Sequence, residues 1–460
     1  MIERSIEQQI RQFLLTDKRA LLVTGPRQVG KTFSIRKVGK ECFKNFVEIN
    51  FIEQPQAVDI FKNSTDADDL ILRISALTRK KLSIGDTLLF LDEVQECLDV
   101  VTAIKFLIDK TCFRFILSGS LLGVELKDVR SVPVGYIHEL EMHPLDMKEF
   151  FLAIGISDDI LNNLKQRYDK LEPVDEYLHK RMIEAVRLYS IIGGMPAVVQ
   201  QYLNTNNLRD VSNQQLSIIR AYKRDISKYA SLDKKLHIEE VYDLIPAELN
   251  AKNKRFIIKD IHDTARFSKF EDSFVWLKEA GVAIPVYNVE EPKMPLLLNK
   301  QRNLFKLFAN DIGLLTSMYG PALQLKLLAN DVNVNYGAIY ENIVAQELTA
   351  HGFSNNNSLF YFNSKKQGEL DFVVEMDGEI IPIEVKSGKD YARHNALANV
   401  IMNENYDINR AIVLCQDNIS IKGVVTYLPI YMLMFFEPIQ METTIVHFDA
   451  FPTIPENNLT

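Results

Sequence analysis

Short apolar strands alternate with helical patterns over residues 21–120, which predicts an α/β sandwich of the doubly wound kind at the start of the chain. Leu21-Leu22-Val23-Thr24, Leu88-Leu89-Phe90-Leu91 and Phe115-Ile116-Leu117 are nearly continuous apolar runs, the mark of parallel strands buried on both faces. Phe46-Val47-Glu48-Ile49 reads as a fourth strand. A glycine-containing loop leads from the first of these strands into a helix start.

The chain of 460 residues is longer than one hydrophobic core usually organises, so roughly two to four packed units are expected. Hydrophobic residues make up 47% and charged residues 25%, an ordinary globular composition. Lys and Arg number 53 against 61 Asp and Glu, a formal charge of −8. No global basic field would draw such a chain onto nucleic acid, so any such contact must come from a local patch. Cys42, Cys97, Cys112 and Cys415 lie far apart with no CxxC pair, which argues against a zinc site or disulfide framework and fits a reducing cytoplasm. The opening MIERSIEQQIRQFLL mixes charges among its apolar residues and reads as a helix. The longest apolar stretch, 427–436, contains Pro429 and is too short to span a bilayer. A cytoplasmic protein with no membrane partner is expected.

From Pro144 to about residue 230 the pattern turns helical. LDMKEFFLAI, VDEYLHKRMIEAVRLYSII and QLSIIRAYKRDISKYA carry apolar residues at three- and four-residue spacing, and GGMPAVV interrupts them as a turn. The stretch KDIHDTARFSKFEDSFVWLKEAGVAIPVYNV reads as two short helices and an apolar strand, the order of a winged helix. A mixed α/β segment runs from about Leu304 to about Phe448, and FPTIPENNLT reads as a loose tail.

Gly25-Pro26-Arg27-Gln28-Val29-Gly30-Lys31-Thr32 matches GxxxxGK[ST] between a buried strand and a helix start, the setting of a phosphate-binding loop for ATP. Glycines let the backbone N–H groups turn around phosphate oxygens, and the helix N-terminus adds a favourable dipole. Lys31 would reach the β- and γ-phosphates, and Thr32 would ligate Mg²⁺. Leu88–Leu91 leads into Asp92-Glu93, the pair expected to hold Mg²⁺ and to activate the attacking water as general base. Ser118 and Ser120, at the tip of the next strand, are candidates for contacting the γ-phosphate or orienting that water.

The ordered series GPRQVGKT, LLFLDEVQ, ILSGS, HPLDMKEFF, GGMPAVV, KLFANDIGLL, YGAIYENIVAQEL and GELDFVV…IPIEVKSG resembles a large group of prokaryotic AAA-type ATPases with a C-terminal domain of unknown function. The resemblance runs from about Ile6 to about Phe435. It implies an AAA-like P-loop NTPase core over 1–140, a helical lid over 141–230 and a winged helix over 231–300. A nuclease-like mixed α/β domain over 301–448 and a tail over 449–460 complete the division. Where that group carries Gly-Arg, this chain has Gly135-Tyr136. An arginine finger at that place would be vacant or moved, with Arg130 and Arg266 as substitutes.

In the C-terminal segment Gly368–Val374 reads as a strand, Asp377-Gly378 as a hairpin turn and Ile381–Lys386 as the partner strand, with Pro382 suited to an edge or strand start. Alternation puts Glu369 with Asp371, and Glu384 with Lys386, on one face each. This resembles the PD-(D/E)XK nuclease pattern. It implies Asp371 and Glu384 as ligands of a second Mg²⁺ or Mn²⁺, completed by Glu341 from the helix YENIVAQEL. Lys386 would then assist the attack on phosphate. Solvated cross-strand charges are the plainer reading of the same hairpin. Lys365-Lys366 would meet a phosphate backbone. The winged-helix segment is only mildly basic, with Arg266, Lys269 and Lys278 among acidic residues, and Trp276 reads as core. His262 and His394 show no metal-ligand spacing. The expected function is Mg²⁺-dependent ATP hydrolysis coupled to a nuclease-like domain that acts on or binds nucleic acid, with an oligomer or protein partner as a further candidate. The rival is a nucleotide-switched regulatory protein with slow hydrolysis.

Overall fold

The computed structural model describes residues 2–62, 66–80, 82, 85–110, 113–119, 135–229, 232–251, 254–256, 267–331, 334–354, 358–388 and 390–438. Ser120, Arg130, His262, Arg266, Cys112 and the 449–460 tail lie outside them, as does the side chain of Lys269. The first apolar run becomes strand β1 (Ala20–Thr24), followed by β2 (Asn45–Asn50), β3 (Thr87–Asp92), β4 (Arg114–Ser118) and β5 (Ile137–Glu141). They form one parallel sheet in the order β2-β3-β4-β1-β5. β1 and β3 are buried at every residue, as continuous apolar runs require. β5 was not legible in the sequence: IHELE is an edge strand with half-exposed residues, so no apolar run announces it.

Apolar side chains cover both faces of this sheet. One face packs under Phe51, Phe61, Leu70 and Leu107. The other merges into a hydrophobic cluster that continues through Phe150, Tyr189, Ile192, Tyr222 and Phe270 to Ile343, Ile383 and Tyr431. The helical segment consists of Met147–Ala153, Asp158–Lys170, Glu176–Ile192, Pro196–Thr205 and Leu208–Tyr229. GGMPAVV is a turn only at its start, since Pro196 opens a helix at N1, where its missing N–H costs no intrahelical bond.

The remaining strands are β6 (Ala283–Val289), β7 (Lys300–Ala309), β8 (Leu359–Ser364), β9 (Gly368–Met376), β10 (Glu379–Val385), β11 (Ala411–Cys415), β12 (Ser420–Lys422) and β13 (Val425–Pro429). They form an eight-stranded mixed sheet, β12-β13-β11-β10-β9-β8-β6-β7. The strand expected in a winged helix is β6, and it pairs with both β7 and β8. The two strands on either side of residue 300 therefore share a sheet with the hairpin, because β6 has apolar residues on both of its faces to bury. Trp276 is core, on the helix Phe267–Glu279 that precedes it. The β9–β10 turn has positive φ at both Asp377 and Gly378, the geometry of a tight two-residue hairpin. Pro382 sits in an interior strand, one residue before the pairing with β11 begins at Ile383. Among the described residues no single helix is long and apolar enough to cross a membrane.

Candidate nucleotide site and carboxylate cluster

The nucleotide loop follows β1, and the helix Lys31–Cys42 starts immediately after Gly30. Gly25 has φ +123°, and a Cβ there would stand 2.1 Å from the Met142 carbonyl oxygen, so only glycine lets the loop leave the sheet here. Strand register does the rest. Asn50 pairs with Asp92, Asp92 with Ser118, and Ser118 with Val23, which lines up polar residues one strand apart at the C-terminal edge of the sheet. That edge is where ligands bind in open α/β sheets.

Asp92 is the hub of this row. Thr32 Oγ1 donates to its Oδ2 at 3.1 Å and Asn50 Nδ2 donates to the same oxygen at 3.1 Å. Ser118 Oγ donates to Oδ1, as does the Glu93 N–H. Burial raises the Asp92 pKa, opposed by the bonds from Ser118 and Thr32. Glu93 has φ +57°, a left-handed conformation that few non-glycine residues adopt, and Gln95 Nε2 donates to its Oε2 at 2.5 Å. Lys31 is buried, with Nζ donating to the carbonyls of Gly25 at 2.8 Å and Pro26 at 2.9 Å. Burial lowers its pKa to about 8 against the pull of Glu93 and Asp92. The adjacent oxygen donors of Thr32 and Asp92 fit a hard divalent ion such as Mg²⁺.

The cavity over this loop measures about 770 Å³ and is lined also by Ile2, Arg4, Phe33, Pro196, Ala197 and Gln200. Tyr136 does not replace an arginine finger: its hydroxyl donates to Asp109 at 3.1 Å on the surface. The guanidinium groups of Arg4 and Arg36, which the sequence does not single out, line the cavity together with that of Arg27 from the loop itself. Arg4 bonds to Glu149 at 3.0 Å, to Val29 O at 2.9 Å and to His143 O at 2.8 Å. Arg27 pairs with Asp225, and Arg36 with Glu48 at 2.6 Å. Asn50 was missed as well, although it ends its strand as Asp92 and Ser118 end theirs.

The second cluster gathers on the eight-stranded sheet. Glu341, on the helix Tyr336–Ala350, is buried beside Asp371 of β9 and Glu384 of β10. Lys386 Nζ lies 3.1 Å from Glu384 Oε1, and the Val385 N–H donates to Asp371 Oδ2 at 2.8 Å. All four residues expected from the hairpin and helix thus come together. Burial, then Asp371, pushes the Glu384 carboxyl up to about 8 and raises that of Glu341 too. Two lysines went unnoticed in the sequence. Lys254 pairs with Glu341, and Lys306 of β7, fully buried, reaches Glu369, Glu341 and Asp371. Burial works against the Lys306 ammonium, but the three carboxylates outweigh it and raise its pKa. Among the described residues no group of three or more His, Cys, Asp or Glu is disposed to hold a metal ion. The second Mg²⁺ or Mn²⁺ expected here does not fit, because ammonium groups stand among the carboxylates. Lys365 and Lys366 are exposed on the β8–β9 turn. His394 Nε2 lies 2.7 Å from the Tyr427 hydroxyl, a satisfied side chain.

The parallel sheet, the loop after β1 and the Asp92 hub make the N-terminal part of the chain a P-loop ATPase domain of the AAA kind. Residues 17–151 match the family model of an AAA domain. Residues 183–327 and 336–433 match two domains of unknown function, DUF8612 and DUF4143. An uncharacterized protein of Methanocaldococcus jannaschii is 26% identical over 389 residues, 81% of this chain and 75% of that protein. The Walker-type ATPase of Pyrococcus abyssi superposes with a TM-score of 0.43 at 13% identity, over 69% of this chain and 96% of that one. The Holliday junction branch migration motor RuvB of Thermotoga maritima gives 0.27 at 15% identity, over 61% and 89%.

Proposed function

We propose that this chain hydrolyses ATP with Mg²⁺ on the loop Gly25–Thr32, and that turnover is coupled to a nuclease-like C-terminal domain that engages nucleic acid. The observation that carries the first part is the Asp92 hub, which brings the Thr32 hydroxyl, the Asp92 carboxylate and the Lys31-bearing loop to one sheet edge. The loop N–H groups and the start of the helix Lys31–Cys42 cradle the phosphates. Lys31, released from the carbonyls of Gly25 and Pro26, neutralises the β- and γ-phosphate oxygens. Thr32 and Asp92 would hold Mg²⁺, which supplies charge neutralisation between the phosphates when bound. Asn50 and Ser118 keep Asp92 aimed at that position. Glu93, steadied by Gln95, takes the proton of the attacking water. For the second part, the support is the meeting of Glu341 from the helix Tyr336–Ala350 with Asp371, Glu384 and Lys386 of the β9–β10 hairpin, on a sheet whose β8–β9 turn carries the exposed Lys365 and Lys366.

Single-turnover hydrolysis of ATP tests the reading. Lys31→Ala should abolish turnover, and Glu93→Gln should slow it by about 10²- to 10⁴-fold while nucleotide binding persists. Full activity in Lys31→Ala would exclude this loop. Turnover measured again with single-stranded DNA, duplex DNA and RNA should change with one of them. A rate indifferent to all three would remove the nucleic-acid part and leave the ATPase.

A further inference from the structure

The carboxylate cluster on the second sheet already contains a cation, and it belongs to the chain. Lys306 projects from β7 with no exposed surface, and its ammonium lies 2.7 Å from Glu369 Oε1, 3.6 Å from Glu341 Oε2 and 3.9 Å from Asp371 Oδ1. The ring of Tyr361 stands 5.0 Å from the same nitrogen and closes another side of it. An ammonium this deep is stable only among opposite charges, and three carboxylates from β9 and the helix Tyr336–Ala350 supply them. The neighbouring acids are engaged by the chain in the same way. Lys254 sits on Glu341, Lys386 on Glu384, and the Val385 N–H on Asp371.

We infer that Lys306 is the resident counter-ion of this cluster, holding the place that a divalent metal would need between Glu341 and Asp371. A divalent ion takes its oxygen ligands at about 2.0–2.6 Å. One seated on Glu341 and Asp371 would share both carboxylates with a buried ammonium that has nowhere to retreat. The two cations are therefore alternatives. The domain keeps the residue set of a metal-dependent nuclease, yet its electroneutrality is supplied from within, so it engages its ligand without a metal. Among the described residues of the cluster, Glu384 Oε2 and Glu341 Oε2 are buried without a hydrogen-bond partner, the latter with Lys306 Nζ 3.6 Å away. This inference rests on the reading of the C-terminal domain given above and is tested separately from it.

Mn²⁺ binding to nucleotide-free full-length protein, followed by electron paramagnetic resonance and calorimetry, decides the matter. The unmodified chain and Asp371→Asn should give the same weak, non-stoichiometric signal. Lys306→Met should gain a single Mn²⁺ site, tighter by about tenfold or more, that vanishes again in Lys306→Met combined with Asp371→Asn. A stoichiometric Mn²⁺ bound by the unmodified chain and lost in Asp371→Asn would overturn the inference. So would a folded Lys306→Met that binds none. Lys306→Gln, which retains a hydrogen-bond donor, replaces Lys306→Met if circular dichroism shows the latter unfolded, and the unmodified chain alone suffices for the first comparison. Nucleic-acid stimulation of ATP turnover reports on the domain's role independently of either result.

Discussion

Single residues at the two clusters differ in how far the sequence exposes them. Lys31, Thr32, Asp92 and Glu93 announce themselves because their chemistry is tied to contiguous strings flanked by strands. Lys306, Lys254, Arg4 and Asn50 become functional only through partners brought up by folding, such as Glu341 for Lys254 and Glu149 for Arg4. A lysine between Phe305 and Leu307 in an apolar strand was the available signal, since a buried ammonium demands carboxylates somewhere. His351 shows what burial does to one titratable group. It packs 3.8 Å from both Asp146 and Glu347, and burial lowers its pKa to about 4 from the ordinary 6.5. The unfolded chain takes up a proton at higher pH than the folded one, so this residue costs stability as pH falls from about 6.5 to about 4. The loss should reach about 3 kcal/mol. His351→Gln should flatten that part of the pH–stability curve, measured as the difference between the two proteins in urea unfolding. Equal slopes would mean that the neighbouring acids Asp146, Glu149 and Glu347 set the acid response alone.

At the scale of elements, the strands β1, β3 and β4 were readable because burial on both faces makes them nearly continuous apolar runs, while β2 was readable from Phe46, Val47 and Ile49 around Glu48. β5 and the merger of β6 and β7 into the second sheet were not, since edge exposure hides the first and partner choice in a sheet is non-local. The helix Tyr336–Ala350 was recognised, but not what its far end does. Glu347 there is fully buried and accepts from the Met147 N–H at 3.0 Å, with the Tyr189 hydroxyl 3.1 Å away. It thereby caps the helix Met147–Ala153 from another part of the chain. Gln346 beside it accepts from the Ile312 N–H at 2.9 Å and donates to Tyr189 at 2.7 Å. Glu347→Ala should cost about 2–4 kcal/mol, because it leaves a cavity and buried donors without acceptors. Glu347→Gln keeps an acceptor and should cost far less. If chemical denaturation finds both variants equally unstable, the cap is not what Glu347 contributes.

Across the whole molecule, the nucleotide sheet, the helical segment and the second sheet share a continuous hydrophobic cluster. The seam between them is drawn at backbone distance. A Cβ at Gly194 would meet the Leu145 carbonyl oxygen at 2.1 Å, and the Gly194 N–H donates to Asp311 at 2.6 Å. Chains of this length usually unfold in parts. This one should instead melt in a single calorimetric transition. A non-hydrolysable ATP analogue with Mg²⁺ at about 100 times its dissociation constant should stabilise the whole by about 2.7 kcal/mol. Two separated transitions, only one of them moved by nucleotide, would show the sheets to be independent. The helix Tyr336–Ala350 also limits how the gene can vary. Glu341 serves the carboxylate cluster and Glu347 the junction with the helical segment, six positions and about 9 Å further along one rigid rod. One residue inserted between them would swing either end about 100° around the axis and leave a charge facing apolar side chains. Length polymorphism should accordingly collect in the surface turns and spare this helix, a pattern that an insertion scan read by soluble expression would reveal.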